Sequence, residues 1–282
     1  GTERKDRVMK KVLLTGASGF IGQALAEALK GTVDVHTIGR HQPPVDVPFV
    51  KGYFGAFEDL RAFDDIAFDA VIHLAAVTGG CLERDGIMVN VEGTRCLMRY
   101  LIDRGCRKFV MASSIAAVGF QNTRFRPLEL PITETHPCLD RDGYGESKFL
   151  MEKITEYYRR QNEDIDVINL RLASIFDEEN PRPKYKARPL HQWALGAVTQ
   201  MSRRECVQLL TRALNAPHRP GVRIMNGVRP TAYVEDPVVE ILRTWYPDLK
   251  LDLSYYEQPG KEKAALFEAS RIQDELGFEP EE

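Results

Sequence analysis

Two hydrophobic periods take turns along the first 175 residues. "KVLLTG" (11–16) is a short apolar run closed by a glycine. "FIGQALAEALKG" (20–31) then sets its apolar residues at helical spacing and ends on another glycine. "VDVHTIGR" (33–40) is rich in β-branched residues and predicts the second strand. "DAVIHLAA" (69–76), "RKFVMASS" (107–114) and "IDVINLRLAS" (165–174) predict further strands, apolar almost throughout. Helical stretches lie between them, over about 85–104 and 143–161. Strands apolar on both faces, alternating with helices, predict an α/β fold: a doubly wound parallel sheet covered on both sides.

Beyond residue 175 the pattern breaks. "FDEENPRPKYKARP" (176–189) predicts a loop, with three prolines and alternating basic residues. Ser202 and Glu205 form a capping-box pattern that opens an amphipathic helix to about 215. "GVRIMNG" (221–227) predicts a strand. "EASRIQDELGFEP" (268–280) predicts a short helix, with Ser270 and Gln273 at its start and Gly277 as its stop. The expected division is a dinucleotide-binding core over 1–175 and a mainly substrate-binding region over 176–282, some of it returning to the core. This last third is too broken to form a core alone. It is expected to pack over the carboxyl end of the sheet and form half of a cleft.

Composition narrows the class. The formal charge is −3 and hydrophobic residues make up 43%, which suits a folded protein without a nucleic-acid or membrane partner. No apolar run approaches the roughly 20 residues of a membrane span. The opening "GTERKDRVMKKV" is charged and lacks the apolar centre of a signal peptide; residues before Met9 read as a remnant. Five scattered cysteines without a C-x-x-C pair fit reduced thiols in the cytoplasm. His36, His136, His191 and His218 show no metal-ligand spacing, and His73, inside an apolar strand, reads as a core residue. No metal is expected. Cys81 lies just beyond that strand, with no base beside it to make it a nucleophile.

"GASGFIG" (16–22) places glycines at 16, 19 and 22 between a strand and a helix. Gly16 permits the tight turn, Gly19 lets backbone amides approach a pyrophosphate, and Gly22 lets the helix pack on the strand. The helix N-terminus offers unpaired N–H groups to phosphates. At the end of the second strand an acid would bond the adenosine ribose, but Gly39, Arg40 and His41 stand there. A guanidinium suits a 2′-phosphate, so NADP is favoured, with NAD possible. With NAD bound, Arg40 would stack on adenine or face solvent.

"YGESK" (144–148) sets Tyr144 and Lys148 one helical turn apart on one face. A free phenol has a pKa of about 10, too high for a base at neutral pH. An adjacent ammonium and the positive ring of a bound nicotinamide together stabilise the phenolate, and Tyr144 is then able to take a proton from an alcohol. Taken alone, Y-x-x-x-K also describes a solvated helix face. Ser113 and Ser114 end a buried strand nearby, where a hydroxyl can bond a substrate oxygen.

In order, these motifs, together with "HLAA" (73–76) and "VNVEGT" (89–94), resemble an extended short-chain dehydrogenase/reductase of the sugar epimerase/dehydratase group. The resemblance is strong over about 11–175. It implies a Rossmann fold and an NAD(P)-dependent enzyme that moves a hydride on a sugar or nucleotide sugar. It also implies roles: Gly16, Gly19, Phe20, Ile21 and Gly22 in the pyrophosphate turn, and Leu74, Ala75 and Ala76 beside the cofactor riboses. Asn90 would steady the neighbouring strand and a water of the cofactor site. Ser114, rather than Ser113, would be the catalytic hydroxyl, Tyr144 the acid/base and Lys148 its partner. The predicted helices at about 85–104 and 143–161 would form a homodimer.

Several departures bear on the substrate. Ile115 and Ala116 replace a dehydratase acid pair. Tyr53, in "KGYF" (51–54), replaces an aspartate that meets adenine, and Ser174, in "LRLAS" (170–174), replaces an asparagine that faces substrate phosphates. The tail is compact, like that of hexuronate dehydrogenases. The basic loop with Arg182, Lys184, Lys186 and Arg188 could close over a diphosphate or carboxylate, or be a solvated loop. Trp193, Trp245, Tyr255 and Tyr256 could wall the substrate site, but core or interface packing suits them better. Three functions stay open: an epimerase or oxidoreductase of nucleotide sugars, a hexuronate-type dehydrogenase, and a non-catalytic dinucleotide sensor.

Overall fold

The computed structural model describes residues 9–281. The charged opening segment before Met9 and Glu282 lie outside the described residues. A seven-stranded parallel sheet forms the centre, in the order β3-β2-β1-β4-β5-β6-β9. These strands are β1 Lys11–Thr15, β2 Asp34–Gly39, β3 Phe49–Lys51, β4 Ala70–His73, β5 Lys108–Ser114, β6 Asp166–Leu172 and β9 Gly221–Gly227. The order reverses between β1 and β4, which opens a crevice at their carboxyl ends.

Alternate residues of each strand feed opposite layers, as the period of two demands. Val12, Leu14, Ile72, Val110 and Ile168 pack with α1 (Phe20–Leu29), α6 (Arg203–Asn215), α7 (Val238–Trp245) and α8 (Ser270–Leu276). Leu13, Val71, Phe109, Met111 and Val167 face the other way. They pack with Phe63, with Leu97 of α4 (Gly93–Asp103) and with Tyr158 of α5 (Gly143–Gln161). Two short helices, α2 (Phe57–Leu60) and α3 (Glu83–Asp85), lie between these elements.

The helix expected at 85–104 is not uniform. A π-helical stretch, Gly86–Glu92, separates α3 from α4. At the other end of the chain, Ser202 forms its capping box with Glu205 as the spacing predicts. Ser270 does not cap α8. Ala269 holds that position, and the Glu268 carboxylate accepts the Ser270 N–H at 2.9 Å. Gly277 ends the helix in the left-handed region, at φ 72°. A small second sheet, β7 (Ser174–Phe176) beside β8 (Gln200–Ser202), follows the main one.

The last third contributes differently from the expectation. It supplies an edge strand and three helices of one layer, so Trp245 and Tyr256 are core residues, 3% and 1% exposed. The wall of the main cleft comes from residues 16–175, with nothing from 176–281. The reason is topological: β9 pairs with β6 along seven residues and draws the chain back beside the sheet.

Candidate active site

β1 ends at Thr15, and the chain turns sharply through Gly16 into α1. Gly16 has φ 79°, and a Cβ there would lie 2.9 Å from the Ala75 amide nitrogen. A Cβ on Gly22 would stand 1.8 Å from the Gly16 carbonyl oxygen. Only glycine fits either position. No side chain caps α1 at Gly19, so the amides of its first turn are available to an anion. This cradle fits the pyrophosphate of a dinucleotide.

A buried relay fixes the loop after β4. The amides of Leu74 and Ala75 both donate to Thr15 Oγ1, at 3.1 Å each. Thr15 Oγ1 lies 2.6 Å from His73 Nδ1, and His73 Nε2 lies 3.0 Å from Thr94 Oγ1. With its acceptor capacity used by two amides, the threonine hydroxyl donates to Nδ1, which leaves Nε2–H to donate to Thr94. Burial, and then the Lys148 charge, press the His73 pKa down to about 3. His73 is therefore a neutral strut and takes no part in proton transfer.

The cleft has a volume of about 690 Å³ and runs from Arg40 to Tyr144. The glycine turn with Phe20 and Ile21, then Leu74, Ala75 and Ala76, and finally Ser114, Tyr144, Lys148 and Ser174, all lie on its wall. Of the proposed site residues, only Asn90 does not. It is fully buried and ties two elements together. Its Oδ1 accepts from Val77 N at 2.9 Å, and its Nδ2 donates to Val77 O at 3.1 Å and Ser147 Oγ at 2.9 Å. Asn90 thus holds the β4 loop against α5. The basic residues at 182, 184, 186 and 188 are exposed and also stand off the cleft wall.

At the inner end, Asp142 caps α5 by accepting the Gly145 N–H at 2.9 Å. This fixes the first turn and with it Tyr144. Lys148 is 3% exposed, and its Nζ donates to the Ala112 carbonyl at 2.8 Å. Burial lowers its pKa to about 8, against the pull of Glu152. Glu152 itself accepts from Ser113 Oγ at 2.6 Å and from Arg171 at 2.8 and 2.9 Å. The Ser113 hydroxyl, although on the cleft wall, is thereby committed to Glu152, and Ser114 remains beside Tyr144.

The protein's own groups, without the nicotinamide's positive ring, do not depress the Tyr144 pKa. Burial raises the phenol above its ordinary value, and the Ser114 hydroxyl only partly offsets this. The Lys148 ammonium lies 5.7 Å from the ring centroid and is engaged with a backbone carbonyl. Desolvation outweighs a cation held at that distance.

Other wall residues carried no motif. Pro43 and Phe49 join Arg40 and Tyr53 at the outer end, and Val77, Thr78, Gly79 and Gln121 line the inner part. For all but Phe49, which opens β3, the only signal in the sequence is position beyond the carboxyl end of a parallel strand. The Tyr53 amide donates to Asp59 Oδ2 at 2.7 Å, so an acid does stand near this end, brought by α2. The described residues contain no cluster of potential metal ligands and no helix long and apolar enough to cross a membrane.

Fold and site together define an NAD(P)-dependent enzyme of the extended short-chain dehydrogenase/reductase class. Residues 12–236 match the sequence profile of the NAD dependent epimerase/dehydratase family, and the chain belongs to that family. It is 28% identical over 223 residues to the NAD-dependent glucose-6-phosphate dehydrogenase of Haloferax volcanii, covering 73% of this chain and 81% of that one. It is 34% identical over 160 residues to the UDP-glucose 4-epimerase of Lactobacillus helveticus, covering 51% of this chain but 46% of the epimerase. Among solved structures, a short-chain dehydrogenase/reductase superfamily protein from Agrobacterium tumefaciens with bound NAD superposes with a TM-score of 0.72. That match covers 96% of this chain and 93% of the other at 24% identity. The UDP-glucose 4-epimerase of Bifidobacterium longum, in complex with NAD+ and UDP, gives 0.70 at 19% identity, covering 97% and 94%.

Proposed function

We propose that this enzyme is an NAD(P)-dependent oxidoreductase or epimerase acting on a sugar or nucleotide sugar, with Tyr144 as the acid/base. The observation that carries this reading is the gathering of Tyr144, Ser114 and Lys148 on the wall that also holds the glycine turn. When bound, the nicotinamide supplies hydride acceptance and return. Tyr144 takes the proton of the substrate alcohol, or returns one to a carbonyl. Ser114 bonds the same oxygen and keeps it towards the phenol. Lys148 holds the nicotinamide ribose, and its charge together with the positive nicotinamide ring favours the phenolate. Arg40, at the outer end of the cleft, receives the 2′-phosphate of NADP. NAD is the second cofactor reading, favoured by the NAD-dependent and NAD-bound relatives.

A specific observation also favours a dehydrogenase of a sugar without a nucleotide. The match to the glucose-6-phosphate dehydrogenase extends over most of that protein, whereas the match to the epimerase stops short of half. The basic loop at 182–188 lies away from the cleft. A homodimer through the helices at about 85–104 and 143–161 belongs to the same reading, supported by exposed Met88 and Tyr157. A monomer by light scattering would contradict it.

The test is to follow nicotinamide absorbance across neutral sugars, uronates, sugar phosphates and nucleotide sugars. Tyr144→Phe is expected to lose about 10²–10⁴-fold in turnover while still binding dinucleotide. Undiminished turnover in that variant would remove Tyr144 from the mechanism. Dinucleotide binding without turnover by the wild type on any sugar would favour a sensor.

A further inference from the structure

A second cavity, of about 380 Å³, opens beside the inner end of the cleft and is lined by Gln121, Asn122, Thr123, Arg124 and Arg141. The two spaces share Gln121. Its amide oxygen lies close over Gly79, where an added Cβ would meet it at 2.8 Å. Gly79 is on the cleft wall, so the small cavity adjoins the space where a substrate would face Tyr144. Both cations are set by local structure. Arg141 directly precedes the Asp142 cap of α5, three residues before Tyr144. The Arg124 N–H donates to Asn122 Oδ1 at 2.8 Å, closing a tight turn.

Neither guanidinium has an acceptor among the described residues, and their neighbour Arg126 shows the contrast. Arg126 is engaged by Asp248 at 2.9 and 3.2 Å and by the carbonyls of Thr123 and Phe125. The acids nearest in sequence do not neutralise the pair. Asp142 accepts the Gly145 N–H as the helix cap, and the charges acting on Asp140 are those of Glu146 and Asp142, with neither arginine among them. Arg124 and Arg141 are both exposed on the lining of one small cavity, and two guanidiniums without an ion pair beside a site for a sugar suit a compact anionic group by bidentate, charge-assisted bonds.

We propose that Arg124 and Arg141 form the anion-holding end of the substrate site, and that the substrate is a sugar bearing a phosphate or carboxylate. The proposal rests on the reading that a sugar meets Tyr144. The anionic group anchors one end of the sugar and sets which hydroxyl lies against Ser114 and Tyr144. The basic loop at 182–188 does not do this, because it reaches neither space.

Calorimetric binding to the dinucleotide-loaded protein tests this without requiring turnover. The probes are glucose, glucose 6-phosphate, glucuronate and a nucleotide sugar. The wild type is expected to bind glucose 6-phosphate or glucuronate at least tenfold more tightly than glucose, and which of the two distinguishes phosphate from carboxylate. R124Q/R141Q is expected to lose about tenfold to a hundredfold on that acidic probe, and Arg126→Gln to lose nothing. Equal binding of neutral and acidic sugars by the wild type, preference for the nucleotide sugar alone, or acidic-sugar binding untouched by the double substitution would each overturn the proposal. Acidic-sugar binding that depends on the two arginines, but without turnover, would uphold it and count against the catalytic reading instead.

Discussion

Lys148 is a cation held where water does not reach, and its titration follows from that. Its folded pKa is about 8, against about 10.4 for an unfolded lysine. Below pH 8 both states carry the proton, and the folded protein bears the full cost of burying the charge. Between the two values the unfolded chain binds more proton, so this group's contribution to stability rises with pH across that window. Lys148→Met removes the effect. Urea unfolding from pH 7 to pH 10 should give the wild type a steeper upward slope than the variant, and a reversed order would show that Lys148 is not depressed. At the outer end of the cleft, Arg40→Ala is expected to weaken NADP by about 1.5–3 kcal/mol while sparing NAD. Fluorescence titration of both dinucleotides checks this, and equal losses would place Arg40 on adenine or in solvent.

Among the elements, α6 shows how much one side chain can hold. Glu205 is fully buried and completes the capping box with Ser202, accepting the Ser202 N–H at 2.9 Å. It also accepts from Arg229 Nε at 3.1 Å and from the Glu281 N–H at 3.1 Å. Burial pushes its pKa up, but Arg229 and these amides outweigh it and hold the carboxyl below the usual range. This stabilisation is present above the ordinary carboxylate pKa and fades as pH falls through the lowered one. Glu205→Ala should cost about 3 kcal/mol or more, read as a drop in urea midpoint at unchanged slope. A loss below about 1 kcal/mol would mean that the capping box alone mattered. The capping box was plain in the sequence because its two residues are three apart. The Arg229 partnership, 24 residues away, was not.

At the scale of the whole molecule, one sheet is covered on one side largely by the chain's last third. Removing residues 176–282 would strip β9 from β6 and α6 from α1, exposing Leu25, Ile168 and Leu170, all buried in the intact protein. The 1–175 segment alone should therefore show no cooperative thermal transition, while the intact chain melts in one step. Scanning calorimetry of both decides, and an independent transition in the short segment would make it a self-sufficient domain. What the sequence determined by itself is whatever depends on near neighbours along the chain: the strand and helix periods, the glycine turn, the α5 pair and the capping box. Tertiary structure alone decided what depends on distant packing. It gave the π-helical turn around Asn90, the return of the tail to the sheet, and the cavity between Arg124 and Arg141. It also set the sign of the Tyr144 shift, because desolvation is produced by the fold and no spacing of residues encodes it.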